Sequence, residues 1–155
     1  MSTVTSPSSS RLAIPALGGI YASAPFFEAL LRFVVGAFLV PHGAQKLFGA
    51  FGGYGIGGTA GFMESLGFTP GVLFAVLVGA VEFFGGILIA IGFLTRPAAL
   101  AAAIMLFVAA LSVHWGAFFA PEGIEYPVLW AVAALFFAVK GASAYSVDAA
   151  LGKEI

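Results

Sequence analysis

The segment LFAVLVGAVEFFGGILIAIGFL, Leu73 to Leu94, is a membrane-length apolar run with one ionisable side chain, Glu82, near its middle. Lipid cannot solvate a carboxylate. At that depth the group must be protonated, paired, or turned toward a polar cavity inside a helix bundle. This requirement defines a polytopic membrane protein with a polar interior, and Glu82 is the first candidate for function. Composition agrees. Of 155 residues 61% are hydrophobic and 8% charged, too few charges to cover a water-soluble globule.

Four apolar segments stand out, from about Pro25 to Phe48, Pro70 to Leu94, Pro97 to Phe119 and Tyr126 to Ala144. Each is close to the ~20 residues that a helix needs to cross ~30 Å of hydrocarbon. Pro25, Pro70, Pro97 and Pro127 sit at or near their starts, where a missing N–H costs nothing. Pro41 lies inside the first segment and is expected to kink it, freeing a carbonyl near residue 37. The chain therefore reads as all-α, a four-helix transmembrane bundle. Thr95-Arg96 makes a tight hairpin between the second and third helices, and residues 120–125 make a short acidic turn. The glycine-rich stretch from Gly49 to Thr69 reads as a re-entrant or interfacial segment between the first and second helices. Its second half is expected to form a short helix capped by Thr59, with Phe62, Met63 and Leu66 on apolar surroundings and Glu64 toward water. Gly79 with Gly85-Gly86, and the Ala98–Ala103 run, permit close helix contact.

Residues 1–24 read as a flexible N-terminal tail, 25–145 as the membrane domain and 146–155 as a C-terminal tail. Ala22-Ser23-Ala24 looks like a signal-peptide cleavage site, but Arg11 comes late and the apolar run behind it is broken by Pro15 and Gly18-Gly19; a cytoplasmic tail is the better reading. With four crossings, Arg11, Arg96 and Lys153 fall on one side, and Glu64, Glu122 and Glu125 on the other. The positive-inside rule then places both termini in the cytoplasm.

The intramembrane polar set is small: Glu28, Arg32, His42, Gln45, Lys46, Glu82, Ser112 and His114. Glu28 and Arg32 are an i, i+4 pair. Counting along the helices puts Arg32 some ~6–9 Å from the level of Glu82, a gap its stem can span, so a salt bridge between them is one expectation. A second is an outward-opening cavity lined by His42, Lys46, His114 and Glu82, with His and Lys donating to the oxygens of a quinone-like ring or another small polar-headed ligand. A third is a metal held by His42 and His114, whose heights match. Two histidines without a thiolate are a weak metal signal, no metal is assigned, and nothing in the pattern demands haem. Gly53-x-Gly55-x-x-Gly58 has the letters of a dinucleotide fingerprint, but lacks the strand before it and the acidic ribose ligand after it. Trp115, Tyr126 and Trp130 fit an aromatic belt at the outer interface. The chain has no cysteine, which removes disulfides, thiol catalysis and Fe–S clusters. No basic patch suggests nucleic acid.

Read together, LLRFVVGAFLVPHGAQKLFG, FGGYGIGGTAGFMESLGF and VGAVEFFGGILIAIGFLTRPAAL resemble the DoxX family of small four-helix membrane proteins, from about Phe26 to Lys140. Arg32, Lys46, Glu82, Arg96 and His114 match polar positions of that pattern. The resemblance implies a bacterial inner (plasma) membrane protein of a family described as oxidoreductases, with relatives linked to thiosulfate:quinone oxidoreduction and to quinone, catechol or thiol stress. It implies a membrane component of a quinone-linked redox or redox-stress system. Catalytic residues and cofactor stay unassigned. This chain carries no cofactor motif, so a quinone or a soluble or membrane partner protein would supply the redox centre. The alternative is a non-enzymatic membrane subunit or small-solute carrier whose polar core is architectural.

Overall fold

The computed structural model describes residues 18–119 and 123–153, and among these the only regular structure is helical. A short α1 (Gly18–Ala22) leads into α2 (Ala24–Phe48), and a 3-10 turn (Ala50–Gly52) into α3 (Gly55–Ser65). Next, α4 (Gly71–Ala80), a π-helical turn (Val81–Gly85) and α5 (Gly86–Ile91) run on as one rod, Gly71–Ile91. The chain continues with α6 (Thr95–Ser112), α7 (Glu125–Lys140) and α8 (Val147–Ala150). Arg11 and Glu122, used above for orientation, and most of the expected N-terminal tail lie outside the described residues; α1 buries nothing.

Three helices are long and apolar enough to cross a membrane: Ala24–Phe48, Gly71–Ile91 and Thr95–Ser112. The fourth apolar segment forms α7, of 16 residues. The expected prolines all fall at a helix start: Pro25 in the first turn of α2, Pro70 at the N-cap of α4, Pro97 and Pro127 among the first residues of α6 and α7. The third segment is shorter than its apolar run suggests. It stops at Ser112 rather than near Phe119. The Ser112 hydroxyl donates back to the Val108 carbonyl at 2.7 Å, competing with the backbone ladder, and the chain then turns through Gly116 at φ 112°.

The exterior is apolar and the interior small. Leu73, Val76, Leu77, Phe84, Ile104 and Leu135 are all exposed. The buried contact between α6 and α7 is made by Ala99, Ala102, Ala103, Ala131 and Ala134, with Phe137 filling one end. Large side chains outside and alanines inside invert the pattern of a soluble bundle. The inversion follows when hydrocarbon is the solvent and association depends on close packing of small residues.

Glycines set the closest contact. A Cβ at Gly36 would lie 2.9 Å from Ala90 Cα, one at Gly43 2.7 Å from Phe83 Cα, one at Gly86 2.8 Å from the Gly36 carbonyl, and one at Gly79 2.7 Å from Leu47 Cγ. α2 and the Gly71–Ile91 rod therefore cross antiparallel, nearly backbone to backbone. Position 36 is level with 86–90, 43 with 83, and 47 with 79. This register decides which polar groups can meet.

α3 begins a turn earlier than expected. Tyr54 precedes its first turn, and Thr59 lies buried inside it rather than capping it. Its glycines argue against helix on propensity alone, but α3 packs on α4 and α2, and that burial wins. Met63 is buried, Leu66 half-buried and Phe62 exposed; Glu64 is exposed and accepts from the Gly71 N–H at 3.2 Å.

The glycine contacts generate a paired prediction. Gly43→Val forces a branched side chain against the Phe83 backbone and is expected to cost about 3 kcal/mol by overpacking. Gly57→Ala, where an added Cβ meets nothing within 4 Å, is expected to gain about 0.5 kcal/mol from helix propensity. Thermal unfolding in detergent, monitored by circular dichroism, checks both.

Candidate functional site

Two polar clusters sit toward opposite ends of the α2 crossing. The first joins Lys46, in the last turn of α2, to Glu82, in the π-helical turn. Lys46 Nζ donates to both carboxylate oxygens, at 2.6 and 2.9 Å. Glu82 is 6% exposed, so the acidic group does lie inside the protein and is paired. The Lys46 side chain is 26% exposed against 8% for that of Glu82. The cation is thus the open member of the pair. π-helical turns inside α-helices occur often at functional sites, and this one carries the intramembrane carboxylate.

The open side of Lys46 faces a pocket of about 570 Å³ lined by Gln45, Lys46, Gly52, Gly53, Tyr54, Gly58, Thr59 and Phe62. Its floor is the last turn of α2; its other wall is the 3-10 turn and one face of α3. Gly53 is required there, because a Cβ would run into the Gln45 backbone. The pocket offers an ammonium, an amide, two hydroxyls and two aromatic rings.

The second cluster is centred on Arg32, 2% exposed. It donates from Nη1 to the Ile89 and Ala90 carbonyls, at 2.8 and 2.9 Å, and from Nη2 to the Tyr145 carbonyl at 2.5 Å. Ile89 and Ala90 are in the last turn of α5, where carbonyls lack intrahelical partners and the helix dipole favours a cation. Gly92, at φ 71°, closes that helix; a side chain there would strike the guanidinium. Asp148 of α8, 1% exposed, caps the start of α6. It accepts from the Leu94 and Thr95 N–H groups at 3.0 and 3.2 Å and from the Thr95 hydroxyl at 3.1 Å, while its own N–H donates to the Gly92 carbonyl at 2.9 Å. These bonds hold Leu94 in the left-handed region, φ 49°, a conformation that costs a non-glycine residue about 1–3 kcal/mol.

The expected Arg32–Glu82 salt bridge is therefore replaced by two separate arrangements. With position 43 level with 83, Glu82 lies about twelve residues up α2 from Arg32, ~18 Å at ~1.5 Å per residue, beyond the reach of an arginine. Counting depth from the helix ends missed this, because it ignored the register that the glycines impose. Glu28 does not pair with Arg32 either; its carboxylate takes Lys140, at the end of α7. Arg96 donates to the Lys140 carbonyl at 3.4 Å.

Neither histidine is among the residues lining the pocket. His42 is exposed on α2, its ring edge-on to Trp130 at 6.4 Å between centroids. His114 lies in the turn beyond α6. Of the four residues expected to line a cavity, Lys46 alone lines this one, with Glu82 behind it as its ion-pair partner. Among the described residues, no group of three or more His, Asp or Glu is placed to hold a metal ion. Trp130 turns inward. It is half-buried, and its indole N–H donates to the Val35 carbonyl at 3.1 Å, tying α7 to α2. Sequence reasoning also missed Tyr145, Asp148 and Thr95. The one local signal was Ser146, whose hydroxyl caps α8 by accepting from the Ala149 N–H.

An apolar-faced helical chain with a carboxylate buried in an ion pair and three helices fit to cross a bilayer is an integral membrane protein. Comparison with family models gives the group: residues 27–115 match the DoxX model, more than half of the chain, and the protein belongs to the DoxX family. The match covers Arg32, Lys46, Glu82, Arg96 and His114 and ends before α7 and α8, so Asp148 falls outside it. No curated protein and no solved structure matches the chain.

A double-mutant cycle separates the two clusters. Glu82→Ala leaves Lys46 without its counter-charge and is expected to cost about 3 kcal/mol, most of which Lys46→Met in the same chain restores. Arg32→Ala and Glu82→Ala should add to within ~0.5 kcal/mol, as unlinked sites do. Chemical unfolding in mixed micelles of the three single and two paired variants measures both couplings.

Proposed function

We propose that this DoxX-family protein crosses the bacterial inner membrane four times with both termini in the cytoplasm. In this reading it is the membrane component of a quinone-linked redox or redox-stress system, its ligand seated against Lys46. The observation that carries the reading is the half-open ion pair. Lys46 is neutralised by a buried carboxylate, yet presents its ammonium to a pocket large enough for a ring with polar substituents. Such a ring would stack near Phe62 or Tyr54, with its oxygens taking hydrogen bonds from Lys46, Gln45 and Thr59. The chain has no cysteine, so electrons would pass through the ligand or a soluble or membrane partner.

For the topology, support comes from one end of the bundle. The start of α2, the turn into α6 and the end of α7 are held together by Glu28–Lys140, Arg96–Lys140 and the Arg32–Tyr145 bond. A chain that enters and leaves at the same end crosses an even number of times, with α7 as the fourth passage. The basic side chains Arg96, Lys140 and Lys153 gather there, which favours the cytoplasmic side.

The second reading, a non-enzymatic subunit or small-solute carrier, draws on the saturation of the pair. Lys46 already bonds both oxygens of Glu82, as an architectural salt bridge would.

Two measurements test these readings. The chain has no cysteine, so Phe118→Cys and Lys153→Cys give clean single-site labels. A membrane-impermeant maleimide should modify position 118 in intact spheroplasts, and position 153 only after permeabilisation. For the ligand, protein purified from native membranes should carry a quinone detectable by mass spectrometry. Lys46→Met should weaken binding of a short-chain ubiquinone by about tenfold, the loss of one charge-assisted hydrogen bond. Unchanged affinity, with a soluble protein co-purifying instead of a quinone, favours the second reading.

A further inference from the structure

The Lys46–Glu82 site constrains the charge of what it can bind, an inference that rests on the pocket reading above. The pair is neutral as a unit, and Glu82 is buried with both oxygens on Lys46 Nζ. An anion drawn to the exposed side of Lys46 would bring the site to one net negative charge beside a carboxylate walled off from water. In low-dielectric surroundings an uncompensated charge is strongly disfavoured, and the group neutralises instead. Among the described residues, Glu82 is the group bonded directly to Lys46 that can absorb the excess by taking a proton.

From α2 the neighbouring titratable side chain is His42, one turn below Lys46 and turned toward Trp130. The 3-10 turn and α3 bring Tyr54 to the pocket and Glu64 to the Gly71 N–H. The α4–α5 rod has no ionisable residue besides Glu82. In α6 the single one is Arg96, at the opposite end of the bundle, and α7 holds Glu125 and Tyr126 at its start and Lys140 at its far end. Among the described residues, no lysine or arginine besides Lys46 stands by the pair.

We infer that the pocket at Lys46 takes weak organic acids, enolic or phenolic, together with one proton: the ligand anion replaces Glu82 as the partner of Lys46, and Glu82 becomes the carboxylic acid. The balance is closed. The ligand's acidic O–H bond breaks, an O–H bond forms on Glu82, Lys46 keeps its charge throughout, and no electron moves. The site goes from one neutral pair to a second neutral pair plus a neutral acid. The net charge inside the membrane is unchanged.

Lawsone, an acidic hydroxynaphthoquinone that is fully ionised at neutral pH, is a suitable coloured probe. Its binding to the purified full-length protein can be followed by calorimetry in buffers of different ionisation enthalpy, which counts protons taken up. Wild type is expected to take up about one proton per lawsone, and its apparent affinity should fall about tenfold per pH unit across the range where lawsone is ionised. Glu82→Gln should bind with no proton uptake and a flat pH profile, since Lys46 alone then compensates the anion. Wild-type binding with less than half a proton overturns the inference while leaving the pocket in place. That count needs no variant, so it stands if Glu82→Gln does not fold. No binding to either protein removes the pocket reading itself, and this inference with it.

Discussion

The near contact of two backbones, α2 against the Gly71–Ile91 rod, governs everything else in this bundle. Gly36 and Gly43 on one helix, and Gly79 and Gly86 on the other, are each seven residues apart, so each pair lies on one helical face. Without side chains between them the helices approach until backbone meets backbone. In hydrocarbon, where burying apolar surface gives no drive to associate, this proximity supplies the dispersion contacts that hold the helices together. It also admits one register. Sliding either helix by a turn would carry Gly36 and Gly86 out of their mutual contact and bring side chains in between.

Register then assigns partners to charges. Lys46 stands level with Glu82, and Arg32 with the last turn of α5. The two cations do different work for reasons that lie in their side chains. Arg32 spreads its guanidinium over three carbonyls in a dry site, a task suited to a planar fork that keeps its charge. Lys46 places a compact ammonium between a buried carboxylate and a pocket. A point charge with three rotatable donors can hold one partner and still turn toward another, which a locked bidentate arginine cannot do without breaking its geometry.

Much of this was legible in the residues. The apolar runs, the prolines at helix starts and the lone carboxylate in Leu73–Leu94 gave the helices and singled out Glu82, because hydropathy and backbone sterics act locally. The partner of Glu82 was not legible. Depth counted from helix ends carries an error of several residues, and several residues along a helix separate Arg32 from Lys46 as candidates. The missing information lies in the glycine spacings of both helices, Gly36 and Gly43 as well as Gly79 and Gly86. The matched heights of His42 and His114 depend on a third apolar run that is helical throughout, and that helix stops at Ser112. The α8 clasp had no signature beyond a serine cap, since Asp148 acts on residues more than fifty positions away.

That clasp bears on which part of the molecule stays fixed. Asp148, Tyr145 and Arg32 tie the end of α5, the start of α6 and the segment after α7 into one polar knot. At the other end, the pocket wall is a glycine-rich 3-10 turn and a helix whose Gly57 and Gly61 pack against nothing. Glycines without packing partners give up the most backbone freedom on ordering and resist displacement least. Rigidity is therefore concentrated at the Arg32 end and compliance at the Lys46 end. A ligand entering beside Lys46 would have to displace only α3 and the 3-10 turn. The helix crossing that keeps Glu82 in register would stay as it is.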